Sequence, residues 1–193
     1  MIELLSLYHT IPAAQKQQFE KVVSSVQRKK GDLLLCEGEV QKDLLLVESG
    51  VAFLYDDANN VRRVIDFFYN NRFCADYRSF TQQSPTRYCI ECLSDCKIER
   101  ISYASFQEAL ESSPAIDKAY RMLLERMLAA AIRQNENQKI LSMEDRFKRV
   151  VAQKPELFAL VPHKYIASYT NIDVTNFSKL YNKHHVKNGL QYE

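Results

Sequence analysis

The sequence predicts an α+β fold: an N-terminal antiparallel β-roll of jelly-roll character, one long apolar helix, and a small all-helical C-terminal unit. Three observations carry this expectation. Between Lys30 and Ile101, short apolar and β-branched runs (LLLC, LLLV, VAFLY, VRRVIDFF, RYCIECL, CKIERI) recur at close intervals with turn residues between them. From Pro114 to Glu136, apolar residues return every third or fourth position, the period of a helix. The segment His163–His185 has the pattern of two short helices meeting at a tight turn.

Composition is that of a globular protein with a sizeable core: 193 residues, 46% hydrophobic and 26% charged. No apolar run approaches the roughly 20 residues that span a membrane, so no membrane partner is expected. The N-terminal MIELLSLYHT has neither a basic n-region nor a cleavage site, which argues against a signal peptide. Five cysteines, an odd number, then read as reduced thiols, and the cytoplasm is the expected compartment. Net charge is +2 but uneven: residues 1–138 hold 17 Lys and Arg against 19 Asp and Glu, and residues 139–193 hold 9 against 5. A basic C-terminal third suggests an anionic partner there, or simply a solvated basic face.

In chain order, residues 12–27 place Phe19, Val22, Val23 and Val26 on one helical face behind Pro12, predicting a short amphipathic helix. The roll follows, punctuated by Gly31, Gly38, Ser49-Gly50, Asp56-Asp57-Ala58-Asn59-Asn60 and Asn70-Asn71. Ser102 is positioned to cap a brief helix, and Ser112-Ser113-Pro114 starts the long one, with Ile116, Tyr120, Leu123, Met127 and Ala130/Ala131 on one side. Met122, Leu124 and Leu128 make a second side apolar, as expected of a helix that crosses a core or packs on a copy of itself. Ser142-Met-Glu-Asp145 opens a further helix with Phe147, Val150 and Val151 inward and Arg146, Lys148 and Arg149 outward, ended by Pro155. The expected units are 1–110 for the roll and its flanking helices, 111–138 for the long helix, and 139–193 for the C-terminal part.

Within His163–His185, Ala167 is the small residue needed where two helices touch. Asn171 tolerates the left-handed conformation at the turn. Ile166, Ile172, Phe177 and Leu180 supply the facing contacts, and Asp173 can accept from the amides of Thr175 or Asn176 as an N-cap. Two core helices joined by an Asn turn would satisfy the same pattern.

A glycine-punctuated roll, a long apolar helix and a C-terminal helix-turn-helix, in that order, resemble the Crp/Fnr family of bacterial transcription regulators over nearly the whole chain. The resemblance rests on KGDLLLCEGEVQKDLLLVESGVAFLY (residues 30–55), with Gly31, Gly38 and Gly50 at the family's turn positions. It rests also on VPHKYIASYTNIDVTNFSK (161–179), which is similar to the winged helix of Bacteroidetes-type members. It implies a homodimer paired through residues 114–136 that presents two recognition helices to double-stranded DNA. Val174, Thr175 and Lys179 would face base edges, with Asn176, Ser178, Asn182 and Lys183 near phosphates. Family members often carry Glu and Arg where this chain has Thr175 and Lys179; lysine lacks the planar fork of arginine, so base readout would be softer. The chain ends at Glu193, soon after Asn188-Gly189, which predicts a truncated wing.

The stretch FCADYRSFTQQSPTRYC (Phe73–Cys89) occupies the place of the family's cyclic-nucleotide cassette, in which a glutamate meets the ribose and an arginine the cyclic phosphate. Phe73, Asp76, Thr86 and Arg87 are the corresponding ligand-binding candidates. No glycine remains in the loop, the acid is an aspartate one residue late, and Arg87 follows Thr86 instead of preceding it. A cyclic nucleotide is therefore disfavoured, leaving another small-molecule effector or none; Arg87 and Asp76 could simply pair with each other. Cys89-x2-Cys92-x3-Cys96 invites an iron–sulfur reading, but on a strand Cys89 and Cys92 face opposite sides, and residues 1–30 contain no cysteine. Buried thiols are expected instead, with neither metal nor cofactor; haem ligation through His9 has no supporting pattern. No nucleophile–base pair or phosphate loop points to an enzyme. The leading expectation is a homodimeric DNA-binding regulator. The alternative is a ligand-sensing or protein-interaction module that has lost DNA binding.

Overall fold

The computed structural model describes residues 1–58 and 61–188. Two short helices open the chain, α1 (Ile2–Ser6) and α2 (Ala13–Glu20). Eight strands follow: β1 (Ser24–Arg28), β2 (Leu33–Leu35), β3 (Asp43–Ser49), β4 (Ala52–Ala58), β5 (Val61–Phe68), β6 (Arg72–Cys74), β7 (Cys89–Cys92) and β8 (Cys96–Ser102), with α3 (Tyr77–Gln82) between β6 and β7. They form two antiparallel four-stranded sheets, ordered β1-β8-β3-β6 and β2-β7-β4-β5. The rest is helical: α4 (Tyr103–Ser112), α5 (Pro114–Ile140), α6 (Met143–Gln153), α7 (Leu157–Leu160), α8 (His163–Tyr169) and α9 (Val174–Asn188). This is the expected α+β architecture of roll and helices.

Side-chain alternation explains why several strands read as unbroken apolar runs. Successive residues of a strand point to opposite faces, and here both faces are covered. Leu45 and Val47 of β3 and Ala52 and Leu54 of β4 turn into the roll interior, with Phe68, Ile90 and Ile98. Leu44 and Leu46 of β3 turn outward under α1, α4 and α5, where Phe80, Phe106, Ile116 and Leu123 cover them. Phe53 and Tyr55 of β4 and Val64 and Phe67 of β5 form a third cluster with Phe147, Leu157, Ile166, Ala167 and Phe177 of the C-terminal helices. That last core joins residues of the roll to residues beyond 139, so the C-terminal helices are docked on the roll.

The expected helix over 12–27 is a correction. It stops at Glu20, and Ser24–Arg28 pairs as β1 with β8, from Ser24 opposite Arg100 to Arg28 opposite Cys96. The partner strand lies some seventy residues away, so nothing local announces it; Val26 packs toward the roll interior while Val22 is exposed. Pro12 is the N-cap of α2. The stretch after Phe73, read as a loop, contains α3, whose N-cap is Asp76. Ser102, Ser113 and Ser142 cap α4, α5 and α6 by accepting from Ser105, Ile116 and Asp145 amides. The end of the Asp56–Asn60 turn and the expected wing beyond Asn188 lie outside the described residues.

Candidate functional site

The α8–α9 pair is built from local rules. Ile166 and Ala167 on α8 are fully buried, so the two helices approach closely at Ala167. Asn171 has φ of 53°, the left-handed turn that reverses the chain. Asp173 Oδ1 accepts from Thr175 N at 2.9 Å and from Asn176 N at 3.2 Å, which closes the first turn of α9. Ile172 and Phe177 are buried against the same core. The opposite side of α9 is open: Val174, Thr175, Ser178, Lys179, Asn182 and Lys183 are exposed and Asn176 is half-buried. Ser178 Oγ donates to Val174 O, and Lys183 Nζ lies 3.4 Å from Glu144 Oε1. Lys148 and then Lys183 hold the Glu144 carboxyl below its usual range.

Two residues that the sequence did not assign to this pair fix it in place. Arg146, expected on the outer face of α6, turns in: its Nε donates to Thr170 O, Nη2 to Asn171 O and Nη1 to Leu141 O. One guanidinium thus satisfies carbonyls at the α8 C-terminus, at the turn and at the α5–α6 link. Ser168 on α8 accepts from Val64 N at 2.9 Å and donates to Arg62 O at 3.3 Å. β5 is the edge of its sheet, so a side-chain hydroxyl stands where a neighbouring strand would pair. Arg149, also expected outward, is held by Asn137 and Gln153. Helical periodicity gave the polar face of α6 but not which of its cations the carbonyls would recruit.

At the roll mouth the ligand-binding candidates separate. Phe73 is buried. Asp76 is buried, caps α3 by accepting from Arg78 N at 3.1 Å, and accepts the Thr86 hydroxyl at 2.6 Å. Thr86 Oγ1 in turn accepts from Tyr88 N at 2.9 Å. Arg87 faces out: its side chain is 66% exposed, lies over the Tyr88 ring and pairs with Asp56 of β4, which raises its already high pKa. Asp76 and Arg87 therefore do not pair with each other. A cavity of about 1070 Å³ opens beside Asp76 but not beside Arg87, walled by Phe73, Asp76 and Tyr77 on the roll side, Met127 and Ala131 from α5, and Ile172 and Asp173 just before α9. It connects the roll mouth to both the long helix and the α8–α9 turn.

Cys74, Cys92 and Cys96 are buried in the roll interior and Cys89 lies on the opposite face of β7, as alternation requires. Hydrogen bonding to Cys96 and burial push the Cys92 thiol up, and burial does the same for Cys74. Among the described residues no group of three or more His, Cys, Asp or Glu is placed to hold a metal ion, and no helix is long and apolar enough to cross a membrane.

Comparison with known proteins bears on this arrangement. A family model described as the cyclic nucleotide-binding domain matches residues 25–113. No curated protein sequence matches the chain. Among solved structures, the c-di-GMP-responsive global regulator CLP of Xanthomonas campestris is similar, with a TM-score of 0.71 at 17% identity over 94% of this chain and 96% of that one. FixK2 of Bradyrhizobium japonicum gives 0.72 at 14% identity over 89% of each chain. A candidate Crp/Fnr-family transcriptional regulator from Eubacterium rectale gives 0.68 at 14% identity over 95% and 88%. Residues 25–113 thus match the cyclic nucleotide-binding domain, and the chain shares the α+β fold of Crp/Fnr-type regulators.

Proposed function

We propose that the chain is a homodimeric DNA-binding transcription regulator of the Crp/Fnr type, acting in the cytoplasm, with α8 and α9 as its helix-turn-helix. The observation that carries this is the Asp173-capped α9, whose buried side is fixed by Ile172 and Phe177 while Val174, Thr175, Ser178, Lys179 and Asn182 stand exposed along the other. An α-helix fits the major groove, where Thr175 and Lys179 would reach base edges and the later side chains phosphates. Pairing through α5 is supported by Leu128 and Ile132, 62% and 51% exposed on the side away from the roll. The units 1–110, 111–138 and 139–193 would then serve sensing, dimerisation and DNA contact.

The effector reading follows from the roll mouth. The acid is engaged as a helix cap and the arginine by an outward ion pair, so a cyclic nucleotide is not the expected ligand. A different small molecule in the adjoining cavity would touch α5 and the first residue before α9 together. The second reading, a module that has lost DNA binding, is favoured by one observation: Thr175 and Lys179 stand exposed at the positions where the resemblance calls for Glu and Arg, and lysine lacks the planar fork of arginine. Thr175→Asp decides between them in a gel-shift series on genomic fragments. Loss of a complex that the unsubstituted chain forms supports the regulator; no complex from either protein supports the second reading. Sedimentation of Leu128→Asp tests the dimer, a monomer being expected, and calorimetric titration with cyclic AMP and cyclic GMP tests the roll.

A further inference from the structure

A second cavity, of about 380 Å³, lies between the later turns of α5, the length of α6, the end of α8 and the β5–β6 side of the roll. Five cationic side chains line it, Arg72, Arg133, Arg146, Arg149 and Lys154, against a single carboxylate, Asp66. That carboxylate is already shared. Its Oδ2 lies 3.2 Å from Arg72 Nη2, and its Oδ1 lies 3.7 Å from Lys154 Nζ and accepts from Phe67 N. Arg146 and Arg149 are held by neutral oxygens, the carbonyls of Leu141, Thr170 and Asn171 and the amide oxygens of Asn137 and Gln153. They are positioned without being neutralised. Lys154 donates to the Tyr169 hydroxyl at 2.7 Å, and burial pushes its ammonium down, with Arg72 acting in the same direction. Like charges gathered in a recess repel one another and raise the local potential, and an anion entering the recess relieves both effects.

We propose that this cavity binds a small phosphorylated ligand carrying at least two negative charges, with Arg133 and Arg149 as its main contacts. Guanidinium groups match phosphate oxygens in paired hydrogen bonds, and Gln134 and Gln138 add amide donors at the same wall. The volume lies toward the lower part of the roughly 300–1000 Å³ range of small-ligand sites. A duplex backbone does not enter a recess of this size, and none of the exposed α9 residues lines it. The site is therefore separate from the proposed DNA face and does not depend on DNA binding. Because its walls come from both sides of the Leu141–Ser142 link, a bound anion would set the angle between α5 and the C-terminal helices.

The test is calorimetric titration of the full chain with inorganic pyrophosphate and, separately, adenosine diphosphate. Saturable binding of one anion per chain is expected, with a dissociation constant below about 1 mM. Arg133→Gln and Arg149→Gln should each weaken it about tenfold, the loss of one charge-assisted contact. Lys179→Gln on α9 and Arg87→Gln on the roll should leave it unchanged. Arg133 is an exposed helix position, so its variant carries the test should Arg149→Gln disturb folding. The proposal is overturned if neither probe binds saturably, if both arginine variants bind as the original does, or if Lys179→Gln or Arg87→Gln abolishes binding.

Discussion

Replacing Ser168 by alanine tests how the C-terminal helices are tied to the roll. The hydroxyl accepts from the amide of Val64, a residue only 6% exposed, and donates to the Arg62 carbonyl. Alanine deletes one oxygen and leaves the Val64 amide without an acceptor, which costs about 1–3 kcal/mol for a buried group. The Arg62 carbonyl bond is long at 3.3 Å and its loss contributes about 0.5 kcal/mol. A total near 2 kcal/mol is expected in urea unfolding followed by circular dichroism, and hydrogen exchange at the Val64 amide should quicken about thirtyfold. Ser178→Ala is the control: its hydroxyl bonds only to Val174 O in its own exposed turn, so stability should move by less than about 0.5 kcal/mol. Should Ser168→Ala fall within that same margin, with Val64 protection unchanged, the reasoning that the hydroxyl closes the β5 edge is refuted.

Further expectations concern the roll and the long helix. Gly50 and Gly38 have nearly the same φ, 84° and 83°, but a Cβ at Gly50 would stand 2.2 Å from Asp95 O whereas nothing lies within 4 Å at Gly38. Gly38→Ala should cost about 1–2 kcal/mol of left-handed strain alone, and Gly50→Ala more than about 4 kcal/mol or the fold itself, measured by denaturant melts; equal costs would contradict the geometry. The Tyr77 hydroxyl is buried without a hydrogen-bond partner among the described residues, so Tyr77→Phe should leave thermal stability unchanged or raise it; a loss above about 1 kcal/mol would reveal a partner. Burial pushes Tyr69 and Tyr120 up to about 12 from an unfolded value of 10.0. Between those values the unfolded chain releases protons that the folded chain keeps, so stability falls as pH rises through that window. The tyrosinate signal that Tyr69→Phe and Tyr120→Phe remove from the absorbance titration should appear together with unfolding; ionisation of these two tyrosines in the folded chain near pH 10 would contradict it.

Local chemistry was the legible part of this chain. The Ser102, Ser113, Ser142 and Asp173 caps and the left-handed Asn171 follow from a few neighbouring residues each, and the long helix from its period. The roll was readable from its turns, and its interior from alternation, as with Cys89 and Cys92 on opposite faces of β7. What escaped depends on distant partners. β1 is a strand because β8 pairs with it, and Val22 and Val23, which suit a helix face in sequence, precede that strand instead. α3 arises where Asp76 turns from a candidate ligand into a cap. The direction of Arg87 is set by Asp56 on another strand, and the inward turn of Arg146 by carbonyls of α8. Periodicity shows which residues share a face, but not which face meets which neighbour.

The most direct measurement of the central claim is binding of the full chain to labelled genomic duplexes by fluorescence anisotropy over a salt series, repeated with Lys179→Ala. The expected result is a complex at low-micromolar protein whose affinity falls steeply with salt, and in the variant a loss of about 1–3 kcal/mol with relaxed preference among duplexes, one base contact having been removed. A complex indifferent to salt, or none at any salt concentration, would contradict the assignment of α9 as a DNA-reading helix.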